Sequence, residues 1–214
     1  SMISKYLVNF GDSWAFGSET KEHLVHSIGK KYAQQLSHLT NRMLIDVSQP
    51  STSVHHMIHQ FHQFIQNDHC ADAEYIALFF VTAQERQMAF DDQCNPIDIQ
   101  SQNNTYKNYY QQVYTHQLGE FNLNTTLLSL QSMCRHHGID DRYILGWQYP
   151  NLWPEIDLTK FYKQGKVNCM NMLGSDNKDI LASDGNINFI HNDGHPSIHG
   201  HTKIAKELYH WIQG

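Results

Sequence analysis

A serine near the start of the chain and an acid and a histidine near its end are the parts of a hydrolytic triad. Ser13 follows the apolar run YLVNF in the segment GDS, and Asp193 and His195 lie in the segment NDGHPSIHGH. In such a triad the histidine takes the serine proton, and the carboxylate orients the imidazole. These residue types, in this order, predict a serine that attacks a carbonyl carbon.

Each of these residues also has a plainer interpretation. A serine after a strand commonly forms a turn or caps a helix, and the Asp-Gly pair at 193–194 is a common turn sequence. His195 could pack on Pro196 as an ordinary loop histidine. The chemistry therefore depends on a fold that brings the two ends of the chain together.

Apolar runs that alternate with amphipathic stretches predict an α/β fold. Short connections between them predict a three-layer α/β/α sandwich with a mostly parallel central sheet. Ligands bind at the carboxyl ends of the strands in such sheets, so the loops at 11–17, 47–53 and 82–86 should form the site. The predicted strands are 6–10, 42–47, 75–81 and 142–146, and the predicted helices are 23–39, 54–67, 109–118, 124–137 (with Gly138 as its C-terminal cap) and 199–212.

The length of 214 residues predicts a single domain, 1–214, with a polar insertion at about 91–108 and an irregular segment at about 147–192. The net charge of -6 argues against nucleic acid as a partner, because that binding needs clustered lysine and arginine. The sequence shows no apolar run of the length that spans a bilayer and no signal peptide, so we expect no membrane partner and favour a cytoplasmic location.

Sixteen histidines and four cysteines raise the question of a metal. His55, His59 and His62 share one face of a predicted helix, but neither an HExxH pattern nor a CxxC pair is present. A solvated polar face and reduced thiols are the favoured interpretations. We expect neither a metal site nor a cofactor.

Four blocks of the chain resemble those of the SGNH or GDSL-type serine hydrolases. FGDSWAFG is similar to the nucleophile block and DGHPSIHGH to the terminal acid–base block, while SQPSTSVHHMI and FFVTAQER resemble the second and third blocks. The order and spacing match from about residue 6 to residue 211. The resemblance implies an SGNH-hydrolase-like, flavodoxin-like sandwich and a serine-dependent ester hydrolase that forms an acyl-enzyme.

The resemblance also implies roles for the site residues. Ser13 is the nucleophile and its backbone N–H the first oxyanion donor, His195 is the general base, and Asp193 is the orienting acid, although the commonest acid position of the family falls on Asn192. Ser51, where the family has glycine, is expected to donate a second backbone N–H.

The third block departs from the family most. Its usual oxyanion-binding asparagine falls at Thr82, whose hydroxyl is expected to substitute, with Gln84 as the nearby amide alternative. Trp14, Gln84 and Arg86 are expected to bind substrate, although a local ion pair of Arg86 that holds the loop is as well supported.

The implied substrate is a small-molecule or glycan ester, and an O-acetyl group on a carbohydrate is the preferred interpretation. Two other classes stay open: an SGNH-fold binding module without turnover, because the middle blocks lack the family glycine and asparagine, and an O-acyltransferase, which shares the acyl-enzyme step. The sequence leaves the oligomeric state undecided.

Overall fold

The computed structural model describes residues 2–18, 29–149, 151–174, 189–190 and 194–214. Its strands are β1 (Lys5–Phe10), β2 (Met43–Asp46), β3 (Glu74–Val81), β4 (Gln87–Phe90), β5 (Pro96–Ile99) and β6 (Asp140–Leu145). Its helices are α1 (Ser13–Phe16), α2 (Tyr32–Leu39), α3 (His56–Asn67), α4 (Lys107–Gln112), α5 (His116–His137), α6 (Cys169–Met172) and α7 (Ile198–Gln213).

The central sheet has the strand order β2-β1-β3-β6, and every neighbouring pair is parallel. The predicted mostly parallel sheet is therefore confirmed. Because all four strands run the same way, their carboxyl ends lie along one edge, and the loops after β1, β2 and β3 emerge together there.

Successive side chains of the strands point to opposite faces of the sheet, which creates two apolar cores. Phe79 of β3 packs in one core with residues of α3 and α5, while the next residue, Phe80, packs in the other with residues of α1, α2, α6 and α7. Helices thus cover both faces, and the predicted three-layer α/β/α architecture is confirmed.

The positions of most helices agree with the apolar pattern, but the predicted helix 109–118 is wrong. Helix α4 ends at Gln112, and α5 begins at His116 after the extended residue Thr115 rather than at residue 124. Gly138 adopts the left-handed φ of 66° and caps α5, as predicted. The predicted helix 23–39 is wrong over its described middle, because Gly29 has a φ of 69° and Lys31 is extended, so that α2 begins only at Tyr32. Residues 19–28 lie outside the described part. No helix in the described ranges is apolar over a length that would cross a membrane.

The segment predicted as a polar insertion, 91–108, differs most. Strands β4 and β5 form an antiparallel hairpin across its start, with Phe90 opposite Pro96. Both strands are four residues long and partly exposed, so they lack the buried apolar run by which the longer strands were recognised. Within the irregular segment 147–192, the described residues form short 3-10 turns and α6.

Candidate active site

The turn that carries Ser13 begins where β1 ends. Gly11 has a φ of 140°, and a Cβ there would lie 2.8 Å from Phe80 Cβ and 2.9 Å from Ala15 Cβ. Only glycine fits this close approach. Asp12 then caps the short helix α1, its Oδ1 accepting from Trp14 N at 2.9 Å. Ser13 is the first residue of that helix and is half-buried.

The carbonyl end of α1 is anchored by a buried polar network that the sequence analysis missed. Asn9 Nδ2 donates to Ala15 O at 3.0 Å and to Asp46 Oδ1 at 3.1 Å. Lys31 Nζ donates to Phe16 O at 3.2 Å and pairs with Asp46. An asparagine inside the apolar run of β1 was a visible signal of such a network, whereas nothing marked Lys31 as 1% exposed.

The histidine reaches this turn from the far end of the chain. An antiparallel bridge between Ile190 and Pro196 closes the segment that carries His195, and Ser197 caps α7 directly after it. His195 Nε2 lies 3.1 Å from Ser13 Oγ. That separation is within the reach expected for a nucleophile and its general base.

The predicted acid, Asp193, and the alternative position, Asn192, both lie outside the described residues. The role of Asp193 stays a prediction. His195 itself is half-buried at the same sheet edge as Ser13.

The second-block loop is held beside the nucleophile turn. Gln49 N donates to Gly11 O at 3.0 Å, which joins the two loops directly. Ser51 is exposed and has a φ of 66°, the left-handed conformation that favours glycine. The backbone at Ser51 therefore adopts a conformation that favours glycine, despite the bulk of the serine side chain.

The β4–β5 hairpin supports this loop through Asp98. The Asp98 carboxylate accepts from Ser53 N at 2.9 Å and pairs with His56 Nδ1 at 2.7 Å. Ser53 and His56 are both buried. A hairpin that the sequence analysis did not predict thus fixes the loop that carries Ser51.

Thr82 and Arg86 converge on Asp12. Thr82 Oγ1 donates to Asp12 Oδ2 at 2.6 Å, and Arg86 Nη1 donates to the same oxygen at 3.0 Å and to Thr82 Oγ1 at 3.2 Å. Burial raises the pKa of Asp12 above its ordinary value of 3.8, opposed by the charge of Arg86 and the hydrogen bonds from Thr82 and Trp14 N. Arg86 therefore forms an ion pair, but its partner is Asp12 of the first block, 74 positions earlier, and not a residue of its own loop as the local ion pair would require.

The two other residues expected to bind substrate lie in different surroundings. Trp14 is 4% exposed and packs against Phe80 and Trp147 in one of the two cores. Gln84 Nε2 lies 3.2 Å from His116 Nδ1, on a partly exposed surface beside the third-block loop. Gln84 is therefore accessible to a ligand from solvent, whereas Trp14 is buried.

The histidine-rich face of α3 has no metal-binding arrangement in the described structure. Within the described ranges, no three His, Cys, Asp or Glu side chains cluster closely enough to hold a metal ion. His59 instead contacts the rings of His56 and Phe90. Burial lowers the pKa of His55 and of His59 below the ordinary 6.5.

No protein-family model matches the sequence, and no curated protein matches it either. Solved structures do match. A G-D-S-L family protein from Desulfitobacterium hafniense DCB-2 superimposes with a TM-score of 0.54 at 11% identity, over 97% of this chain and 99% of that one.

Two acetylxylan esterases also match. A catalytic mutant of the enzyme from Geobacillus stearothermophilus has a TM-score of 0.50 at 13% identity, over 100% of this chain and 96% of that one. The enzyme from Butyrivibrio proteoclasticus has a TM-score of 0.50 at 14% identity, over 100% of this chain and 64% of that one. The chain has the fold of the SGNH/GDSL-type hydrolases.

Proposed function

We propose that the protein is a serine-dependent ester hydrolase. The observation that carries the proposal is the 3.1 Å approach of His195 Nε2 to Ser13 Oγ, between residues 182 positions apart in the sequence. A turn-forming serine or an ordinary loop histidine needs no such contact. The pair stands at the carboxyl edge of a parallel sheet, where ligands bind in this class of fold.

The reaction follows from the two side chains. His195 Nε2 takes the proton of Ser13 while Oγ bonds to the ester carbonyl carbon. The tetrahedral intermediate collapses, the ester C–O bond breaks, and the alcohol leaves with the proton from His195. Water then attacks the acyl-enzyme, giving its proton to His195, and the acid is released as Oγ recovers that proton.

Two backbone groups are assigned to the oxyanion. The proposed donors are the N–H of Ser13 and the N–H of Ser51, whose left-handed conformation matches that expected of a glycine. The Thr82 hydroxyl donates to Asp12, so we do not assign it to the oxyanion. Removal of one donor typically costs about 2.7–4 kcal/mol in the barrier, so a two-donor site predicts a slow enzyme rather than an inactive one.

The proposed substrate is an O-acetyl ester of a carbohydrate. Two of the matching structures are named acetylxylan esterases, and this supports an acetyl group as the acyl portion. The test compares p-nitrophenyl acetate, butyrate and octanoate, and measures acetate release from acetylated xylan. A preference for octanoate would contradict the acetyl assignment while leaving the hydrolase proposal intact.

The function is tested by replacing the two reacting side chains. Ser13→Ala and His195→Ala should each abolish p-nitrophenyl acetate turnover and labelling by a fluorophosphonate probe. Ser101→Ala, at an exposed turn, is the matched control and should retain both. Equal background rates in wild type and Ser13→Ala would reject the hydrolase and favour a binding module.

Two further experiments test the role of Asp193 and the identity of the molecule that accepts the acyl group. If Asp193 orients His195, Asp193→Asn should lower kcat sharply while Asn192→Asp should not, and an unaffected Asp193→Asn variant would reject the assignment. Transfer of the acetyl group to an added sugar in preference to water would instead identify an acyltransferase.

A further inference from the structure

We propose that Arg86 is a positioning residue, which holds the turn carrying Ser13 through Asp12 and Thr82 and does not bind the substrate. This inference rests on the proposed hydrolase function. Three side chains of the first and third blocks are joined by hydrogen bonds behind the proposed nucleophile: Asp12, Thr82 and Arg86. We call this group the clamp.

The hydrogen bonds of the clamp engage both oxygens of Asp12, the hydroxyl of Thr82 and Nη1 of Arg86. The Asp12 carboxylate is fully buried and bonds to Trp14 N through Oδ1 and to Thr82 and Arg86 through Oδ2. Thr82 donates to Asp12 and accepts from Arg86, so its hydroxyl is satisfied in both directions. The Arg86 side chain is 19% exposed, and its Nη1 faces Asp12.

The position of Asp12 makes this clamp relevant to catalysis. Asp12 directly precedes Ser13 and caps α1, so any movement of its carboxylate is passed along the backbone to the nucleophile. A buried carboxylate without a charged partner is unfavourable, and the turn would rearrange to reach water or a new donor. Arg86 supplies the charge, and its Nη1 donates to two oxygens of the clamp, Asp12 Oδ2 and Thr82 Oγ1.

The two possible roles of Arg86 differ in their kinetic signature. A residue that binds substrate equally in the ground and transition states raises KM when it is lost, with little change in kcat. A residue that positions the nucleophile lowers kcat instead, because misplacement of a reacting atom by about 1 Å can cost about 100-fold in rate.

The test measures kcat and KM for p-nitrophenyl acetate in Arg86→Gln, Arg86→Lys and the control Arg42→Gln. Arg42 pairs with Glu74 at the opposite end of the sheet. We expect a loss of about 100-fold in kcat for Arg86→Gln, with KM nearly constant, and no change for the control. Arg86→Lys, which keeps the charge but not the planar guanidinium, should fall between them. A raised KM with unchanged kcat would overturn the proposal.

A double variant tests the clamp even if Arg86→Gln alone does not fold, because it leaves no buried charge without a partner. Asp12→Asn combined with Arg86→Gln removes both charges, and the asparagine Oδ1 can still accept from Trp14 N. We expect the double variant to recover part of the kcat lost in Arg86→Gln. A double variant slower than Arg86→Gln, or one with a raised KM, would contradict the clamp.

Different results would refute the proposed role of Arg86 and the proposed hydrolase function. A wild-type protein that neither turns over the ester nor labels at Ser13 with fluorophosphonate would refute the function itself. An active wild type, together with Arg86→Gln of unchanged kcat, would refute only the role of Arg86.

Discussion

The variant Gly200→Ala tests how the fold positions His195, the proposed general base. Gly200 lies in the first turn of α7, and a Cβ there would come within 2.1 Å of Phe189 O and 3.2 Å of Pro196 Cβ. The obstructing oxygen belongs to the backbone, so it must move by more than 1 Å to reach the 3.4 Å of an ordinary contact. The same oxygen accepts from Ser197 N at 2.9 Å, so the segment that carries His195 must move with it.

This displacement sets the expected losses of stability and of kcat. Overpacking of this kind typically costs about 1–3 kcal/mol in the free energy of unfolding. A shift of about 1 Å in the base should also lower kcat by about 100-fold. Thermal unfolding measures the first effect, and p-nitrophenyl acetate hydrolysis measures the second.

Gly138→Ala is the matched control. Gly138, unlike the helical Gly200, has a left-handed φ, of 66°, but a Cβ there meets nothing within 4 Å, and the residue caps α5 at the opposite edge of the sheet. We expect a loss of about 1 kcal/mol in stability and no change in kcat. If Gly200→Ala retained wild-type kcat and thermal stability, the reasoning about the base-bearing segment would be wrong.

Three further predictions concern the loops and the pH dependence. Ser51→Val should destabilise the protein by about 1–2 kcal/mol in thermal unfolding, since a β-branched side chain fits a φ of 66° poorly, whereas Ser51→Gly should not. Asp98→Ala leaves Ser53 N without its acceptor and should cost about 1–3 kcal/mol and lower kcat, and a variant with unchanged kcat would show that this loop contributes little. Burial lowers the pKa of His55 and His59 below 6.5, so the unfolded chain binds more protons below that pH and stability should fall as pH drops from about 7.5 to about 5.5. His55→Gln should reduce this fall in Tm, and an identical pH dependence would contradict it.

Regular elements with a strong apolar pattern were predictable. Strand β3 is apolar on both faces because it lies between β1 and β6 with helices above and below, and this burial is visible as an unbroken apolar run. The parallel sheet, its covering helices and the Gly138 cap follow from such local signals. The β4–β5 hairpin did not, since its short strands owe their place to the contact of Asp98 with a residue 42 positions away.

The site was predictable as a set of residue types and unpredictable as a set of contacts. The resemblance indicated Ser13 and His195, but it placed Thr82 in the oxyanion hole, and the residue types of the third block left Arg86 either at the substrate or in a local ion pair. In the fold the side chains of both residues contact Asp12, which lies 70 or more positions earlier. No residue type or spacing within the third block indicates that Thr82 and Arg86 bond to Asp12.

The amino-acid sequence alone determined the layered α/β architecture, and it predicted the sheet edge and the two side chains, Ser13 and His195, that we propose to react. Those properties depend on hydrophobic periodicity and residue chemistry, which are legible over a few neighbouring positions. The hydrogen-bond partner of each polar side chain became visible only in the folded chain. The choice of partner follows from burial, because a carboxylate removed from water must bond to whichever donors the packed sheet brings within reach.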